Sequence, residues 1–168
     1  MSYLWDKTGV PHFGWTCVSV IDLNPDQDPE LFDTYETCQM CGHEQIRFVH
    51  TMEHEEFDGT LDVGCICAVK MSGDSVGPKQ REIALRNKAG RRAKWLKRKW
   101  RRSYNGNDYL NIKGFNIVIY PDKYHEEMWR YRITNRSTNE SVFGRINYSD
   151  RDEAKLALFD DFEQLCRE

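Results

Sequence analysis

The stretch that decides the fold begins with Cys38-Gln39-Met40-Cys41-Gly42 and ends with Cys65-Ile66-Cys67. Two residues between the first two thiols allow a tight turn, and Gly42 permits the positive backbone φ that a zinc knuckle requires. In a chain without a secretory signal, close cysteine pairs bind metal more often than they form disulfides. The pattern therefore predicts a zinc site with ligands from both cysteine pairs.

The segment between the two cysteine pairs is typical of a β-hairpin. A run of β-branched and aromatic residues begins at Ile46, and Asp58-Gly59 is a strong two-residue turn signal. With this dipeptide as the turn, His50 lies opposite Cys67, with their Cβ atoms about 5 Å apart. A turn shifted by one residue places His50 opposite Cys65 instead.

These positions give a set of predicted zinc ligands and an expected type of site. A short helix after the returning strand completes the order knuckle, hairpin, helix, which is that of a treble clef. Four Cys and His ligands close the tetrahedron and the HExxH pattern is absent, so the zinc is expected to be structural. Alternatively, the second cysteine pair consists of buried packing residues, and His43 and His54 are expected at the surface. The predicted ligands are Cys38, Cys41, His50 and Cys67, with Cys65 as the alternative fourth ligand.

A long basic helix is predicted after the zinc segment. Asp74-Ser75 can cap this helix, and residues 79–102 hold twelve basic side chains and a single acid, Glu82. Like charges at this density are unfavourable unless an anion compensates them. The acidic remainder of the same chain, an acidic protein or nucleic-acid phosphate can do so. An apolar stripe at helical spacing is formed by Leu85, Ala89, Ala93, Leu96 and Trp100.

The second half of this helix carries the expected nucleic-acid contacts. Trp95 lies off the apolar stripe, and its neighbours three and four residues away are all basic. Trp95 is therefore predicted to stack on an exposed base while the surrounding cations hold the backbone; the alternative is a core position. The predicted contacts are Arg91, Arg92, Lys94, Trp95, Arg98, Lys99, Arg101 and Arg102.

The C-terminal third is predicted to form a three-stranded antiparallel sheet with one helix packed on it. Strands are expected over residues 114–120, 128–134 and 141–147, and Ser149-Asp150 begins a helix with a capping-box-like sequence. The order α-β-β-β-α resembles double-stranded-RNA-binding domains, and its β-β-β-α part is similar to sheet modules of some integrases. The acidic start of the last helix disfavours double-stranded RNA as the ligand. A further strand over residues 14–23 is expected to join the zinc hairpin or the C-terminal sheet.

Four motifs together resemble a family of uncharacterised zinc-knuckle proteins of bacteria and phages. They are Cys38-x-x-Cys41-Gly42 and the segments 46–50, 63–68 and 91–96. The likeness extends from Gly14 to Ala157. It implies a zinc site and no particular activity.

The charge distribution limits the classes of function. The net charge of −3 combines an acidic segment, residues 1–60, with the strongly basic segment 79–102, so it does not exclude a polyanionic partner. The sequence has no apolar run of about 18 residues, and its first residues lack the basic-then-apolar order of a signal peptide. A cytoplasmic protein without a membrane partner is therefore expected. No set of nucleophile, base and orienting residue stands out, so an enzyme is not expected.

The expected protein is of the α+β class and has three parts. Residues 1–74 hold an N-terminal strand and the zinc module, residues 75–104 the basic helix, and residues 105–168 the β-β-β-α module. The expected function is that of a zinc-stabilised, non-enzymatic protein that binds DNA or RNA. The alternative is an adaptor or regulator in a phage, mobile-element or defence system that docks on an acidic partner.

Overall fold

A computed structural model describes residues 3–167, without the side chains of residues 32–34. The described chain is of the mixed α+β class, with three α-helices and two antiparallel sheets of three and five strands. It divides into two compact units, Met1–Arg91 and Arg92–Glu168, here called the N-terminal and C-terminal units. None of the helices in the described part of the chain has the length and apolar character needed to cross a membrane.

The N-terminal unit contains a three-stranded sheet in the order β1-β2-β3. β1 pairs with β2, so the N-terminal strand joins the predicted hairpin, which was one of the two expected positions. Two short 3-10 helices, Leu4–Asp6 and Pro29–Thr34, flank β1. The other elements are β1 (Thr16–Asp22), β2 (Phe48–Glu53), β3 (Thr60–Val63), α1 (Cys65–Ser72) and α2 (Gly77–Trp95), which continues into the C-terminal unit.

The predicted register of the β2–β3 hairpin is wrong. Glu53 pairs with Thr60 and His50 pairs with Val63, because the connection spans residues 54–59 instead of two residues. The backbone N–H of Phe57 donates to the His54 carbonyl at 3.1 Å within this connection. The second cysteine pair consequently lies in α1 and not on the returning strand.

The core of the N-terminal unit is built around sulfur-containing side chains. Met40, Met52 and Met71 are fully buried, and they pack with Val63, Ala68 and Trp15. Cys38 and Cys67 belong to the same cluster. The cysteines of the predicted site therefore lie at the edge of a packed apolar core.

The basic helix ends earlier than the sequence predicts. α2 stops at Trp95, and Arg101–Arg102 forms the short strand β4, which pairs with β5. The predicted apolar stripe is also wrong in part, because Ala93 is exposed whereas Trp95 is 1% exposed. Both differences have one cause: residues 95–102 belong to the C-terminal unit and follow its packing instead of helical periodicity.

The C-terminal unit holds a five-stranded sheet in the order β4-β5-β6-β7-β8 instead of the predicted three strands. β5 and β6 are joined by the two-residue turn Lys113-Gly114, whose φ values of 47° and 81° are those of a type I′ hairpin turn. The elements are β4 (Arg101–Arg102), β5 (Asp108–Ile112), β6 (Phe115–Pro121), β7 (Trp129–Asn135), β8 (Ser141–Phe143) and α3 (Arg151–Leu165).

The closing helix α3 is confirmed with its cap. The Asp150 carboxylate accepts hydrogen bonds from the backbone N–H groups of Asp152 and Glu153. These N–H groups have no partner within the helix, so Asp150 acts as its N-cap. α3 packs on β7 and β6. The core between the helix and the sheet is formed by Trp95, Ile117, Ile119, Tyr131, Ile133, Ala154, Leu158, Phe159 and Phe162.

Candidate functional site

Three of the predicted zinc ligands come together in the N-terminal unit. The Sγ atoms of Cys38, Cys41 and Cys67 all lie within 4.8 Å of one another. Sulfur ligands at 2.3 Å from a tetrahedral zinc ion are about 3.8 Å apart, so small movements bring these atoms to coordination distance. We refer to Cys38, Cys41 and Cys67 as the cysteine group.

Local backbone geometry positions the first two sulfurs. The Cys38 N–H donates to the His43 carbonyl and the Gly42 N–H donates to the Cys38 carbonyl, both at 2.8 Å, which closes the knuckle. Gly42 has a φ of 72°, and a Cβ atom there would clash with the Tyr3 ring. The knuckle therefore needs glycine at this position for both conformation and space.

Hydrogen bonds favour a thiolate within the cysteine group. The Cys67 thiol donates to the Cys38 sulfur, which also accepts from the backbone N–H groups of Gly64, Cys41 and Met40, and these bonds lower the pKa of Cys38 to about 5. The same donated hydrogen bond, together with burial, raises the pKa of Cys67. One sulfur is thus prepared as an anionic ligand, the form that binds metal.

A cavity of about 230 Å³ opens beside the cysteine group. His43 and Cys65 both line this cavity, although neither has a ligand atom within 4.8 Å of all three sulfurs. The predicted ligand His50 does not join the cysteine group, because the actual hairpin register directs it elsewhere. A metal ion there would take its fourth ligand from another residue or from water.

His50 and Cys65 instead form a second cluster with Glu82, which we call the mixed group. One ligand atom from each of the three residues lies within 4.8 Å of the other two. His50 Nε2 is 3.3 Å from Glu82 Oε1, and the Cys65 thiol donates to the same carboxylate. Burial raises the pKa of the Cys65 thiol, and the negative charge of Glu82 raises it further.

His50 is unusual among the buried residues of the N-terminal unit. It is 0% exposed, and its Nδ1 atom has no hydrogen-bond partner within the described residues. A buried polar atom without a partner costs about 1–3 kcal/mol, so it calls for an explanation beyond packing. Its other ring nitrogen, Nε2, lies beside the Glu82 carboxylate, and through that atom the imidazole is a candidate ligand.

Glu82 was missed as a site residue, although the sequence contains a signal for it. It is the single acid among residues 79–102. In a helix this basic, an isolated carboxylate suggests a specific partner, and here the partners are His50 and Cys65. The sequence could not identify those partners, because the approach of α2 to β2 is a tertiary contact.

The predicted nucleic-acid residues divide between exposed and buried positions. Arg91, Lys94, Arg98, Lys99, Arg101 and Arg102 are exposed, whereas Arg92 is half-buried and its Nη2 lies 3.3 Å from Asp160 Oδ2.

The stacking role predicted for Trp95 is wrong, because its ring is buried. Its Nε1–H donates to the Lys155 carbonyl at 2.9 Å, and its ring lies 5.1 Å from the ring of Phe159. The Arg98 guanidinium carbon is 5.2 Å from the ring centroid of Trp95, so this cation lies against the tryptophan. Trp95 thus belongs to the core of the C-terminal unit.

A different aromatic side chain is exposed next to the basic residues. Tyr104 lies two residues after the end of β4 and is fully exposed. Its loop is closed by two backbone hydrogen bonds, from Ser103 N–H to the Asn107 carbonyl at 2.8 Å and from Gly106 N–H to the Ser103 carbonyl at 2.9 Å. Tyr104 was not among the predicted contacts, because the expected basic helix extended to residue 104.

The residues from Lys94 to Arg102, called the basic segment, carry six exposed cations and no acid. Arg102 Nε lies 3.6 Å from Asp108 Oδ1. Within the described part of the C-terminal unit, no carboxylate lies within 4.0 Å of Lys94, Lys97, Lys99 or Arg101. Most of this positive charge is therefore not neutralised inside its own unit.

No protein-family model, curated protein or solved structure matches the chain.

Proposed function

We propose that the protein is a non-enzymatic nucleic-acid-binding protein whose N-terminal unit is stabilised by zinc. The observation that carries this proposal is the basic segment, with six exposed cations and little compensation from acids of its own unit. Lys and Arg side chains in such an arrangement gain free energy when phosphate replaces their counterions. The basic segment is therefore the proposed phosphate-binding surface.

Tyr104 supports a preference for single-stranded nucleic acid. It is fully exposed, lies two residues after the two arginines of β4, and belongs to a loop closed by backbone hydrogen bonds. Single-strand binders combine cations that hold the backbone with an aromatic ring that stacks on an unpaired base. Tyr104 takes the stacking role in this proposal, in place of the buried Trp95.

The proposed zinc site is a structural, treble-clef-like site. Its ligands are the knuckle residues Cys38 and Cys41 and, from the first turn of α1, Cys67. The β2–β3 hairpin lies between knuckle and helix, which is the order of a treble clef. His43 and Cys65 line the adjoining cavity as candidate fourth ligands. A closed set of Cys and His ligands supports folding and not catalysis.

Binding to a labelled single-stranded oligonucleotide, in DNA and RNA forms and over a range of salt concentrations, tests the phosphate surface. We expect log K to fall with log salt by about 0.7 for each phosphate neutralised. Lys97→Glu combined with Lys99→Glu should reduce this slope and weaken binding. Lys123→Glu, at an exposed lysine in the β6–β7 connection, is the matched control. A salt-independent affinity, or an equal loss in the control, would refute the proposal.

The stacking role of Tyr104 has its own test with a matched tyrosine. Tyr104→Ala should weaken single-strand binding by about 1–3 kcal/mol without changing the salt slope. Tyr124→Ala, at another exposed tyrosine of the same unit, should leave the affinity unchanged. Equal affinities of the two variants would remove Tyr104 from the proposed surface.

A further inference from the structure

We propose that the mixed group, His50, Cys65 and Glu82, is a second zinc site, separate from the cysteine group. The three residues offer an imidazole nitrogen, a thiolate sulfur and a carboxylate oxygen, all of which zinc accepts as ligands. They come from three elements of the N-terminal unit, β2, α1 and α2. This inference goes beyond nucleic-acid binding and does not depend on it.

The distances within the mixed group suit a metal ion. His50 Nε2 and Glu82 Oε1 are 3.3 Å apart. Nitrogen and oxygen ligands at 2.0–2.2 Å from a tetrahedral zinc ion are about 3.3–3.6 Å apart, so this pair already has the required separation. The Cys65 ligand atom lies within 4.8 Å of both. A rotation of the thiol completes a three-ligand arrangement.

The charge balance also suits a divalent cation. Glu82 accepts one hydrogen bond from Cys65 and lies at hydrogen-bond distance from His50. Binding of Zn²⁺ would release the Cys65 thiol proton to solvent, and the neutral imidazole would carry its proton on Nδ1 so that Nε2 can coordinate. With one thiolate, one carboxylate and a neutral imidazole, the occupied site has no net charge, which limits the cost of burying it.

The burial of the three residues indicates where a further ligand can enter. His50 is completely buried, whereas the Glu82 side chain is 19% exposed. Three protein ligands leave one tetrahedral position for water or a small anion, as in zinc sites that are not purely structural. The exposed side of Glu82 gives solvent access to that position.

Two other arrangements of the same residues predict a different number of zinc ions per chain. In the first, Cys65 is the fourth ligand of the cysteine group, since it lines the same cavity, and one zinc ion binds per chain. In the second, the mixed group is only a hydrogen-bonded cluster, again with one zinc ion per chain. The proposed arrangement holds two zinc ions and assigns Cys65 to the mixed group, which leaves His43 for the cysteine group.

Metal content of the full-length protein, saturated with Zn²⁺ and freed of excess metal, distinguishes these arrangements. We expect two zinc ions per chain in the unmodified protein and one in both Glu82→Gln and Cys65→Ser. Cys17→Ser is the matched control, because Cys17 is half-buried in the same unit and belongs to neither group. It should retain two ions. If the unmodified protein binds only one zinc ion and Glu82→Gln still binds one, the proposal is overturned.

Cobalt substitution separates loss of the second site from loss of folding. We expect a sulfur-to-cobalt charge-transfer band from the cysteine group that remains in Glu82→Gln, together with a weaker second contribution that disappears. Should Cys65→Ser alter the cysteine-group band while Glu82→Gln changes nothing, Cys65 belongs to the cysteine group and the proposal fails. The salt dependence of oligonucleotide binding should be the same for Glu82→Gln as for the unmodified protein, so the nucleic-acid proposal is judged separately.

Discussion

The cores of the two units are built from different kinds of side chains. The N-terminal core contains Cys38, Cys67 and the buried His50, all of which are potential metal ligands. The C-terminal core is formed by aromatic and aliphatic side chains, with Trp95, Phe159 and Phe162 in ring contact. Apolar burial alone suffices in the second case. In the first, thiols and an imidazole occupy positions where apolar groups would otherwise pack.

The difference leads to an expectation about what each unit requires for folding. Without metal, these side chains make only weak thiol hydrogen bonds in a desolvated space, such as that from Cys67 to Cys38, so they contribute little to folding. With zinc bound, the same side chains supply folding free energy. We therefore expect folding of the N-terminal unit to depend on metal and folding of the C-terminal unit to be independent of it.

Removal of zinc by a strong chelator should unfold the N-terminal unit and leave the C-terminal unit folded. Structural zinc contributes about 10–16 kcal/mol of apparent binding free energy in zinc-finger peptides, which is comparable to the whole stability of a domain. Hydrogen exchange should show loss of amide protection in β2 and retained protection in β6 and β7. Protection of β2 that survives complete removal of metal would break the contrast between the units.

Truncation of an aromatic side chain in the C-terminal core should destabilise the C-terminal unit and leave the N-terminal unit unaffected. Phe162→Ala removes a side chain that is 1% exposed and stacks on Trp95 with ring centroids 5.7 Å apart, so we expect a loss of about 3–5 kcal/mol. Denaturant unfolding followed by hydrogen exchange should place this loss in β6, β7 and α3. Phe13→Ala, at a phenylalanine that is 73% exposed, serves as control and should change stability by less than about 0.5 kcal/mol.

The cap of α3 contributes a smaller amount to the same unit. Asp150→Ala removes the acceptor for the N–H groups of Asp152 and Glu153 and should cost about 1 kcal/mol. Asp150→Asn keeps an acceptor oxygen and should restore most of the stability. Thermal unfolding of the three proteins gives the comparison, and an Asn variant as unstable as the Ala variant would exclude capping as the cause.

The smallest effect is a pH dependence near the start of α2. The backbone N–H groups of Gly77 and Val76 donate to the Asp74 carboxylate and hold its pKa below the usual range. The stabilisation is thus complete above the unfolded-state pKa of about 3.9 and is lost as the pH falls through the lower folded value. The difference in Tm between the unmodified protein and Asp74→Ala should shrink as the pH is lowered from 7 to 3. Asp74→Asn, which does not titrate, should show no such change relative to Asp74→Ala.

Sequence reasoning succeeded where the signals were local. The knuckle at Cys38 and Cys41 needs only two thiols and a following glycine, and the cap at Asp150 needs only an acceptor before an amphipathic run. Both lie where expected. The strands β6 and β7 were likewise evident from their β-branched and aromatic composition.

Where contacts between distant residues decide the structure, the sequence was insufficient. Asp58-Gly59 suggested a two-residue turn, but the connection begins at His54, whose carbonyl and Nδ1 accept from the N–H groups of Phe57 and Glu56. A shift in register moved His50 away from the cysteines. Trp95 was misplaced for a similar reason, because the rings of α3 that bury it lie more than 60 residues away along the chain.

The short strand β4 has a consequence for association between molecules. An edge strand presents unpaired backbone groups to which a strand of another molecule can add, and short, charged edges resist this. β4 has two residues, both exposed arginines, whereas the opposite edge, β8, carries the exposed side chains of Val142 and Phe143. Like-charge repulsion thus protects one side of the sheet from aggregation, and any strand that extends the sheet will add at β8.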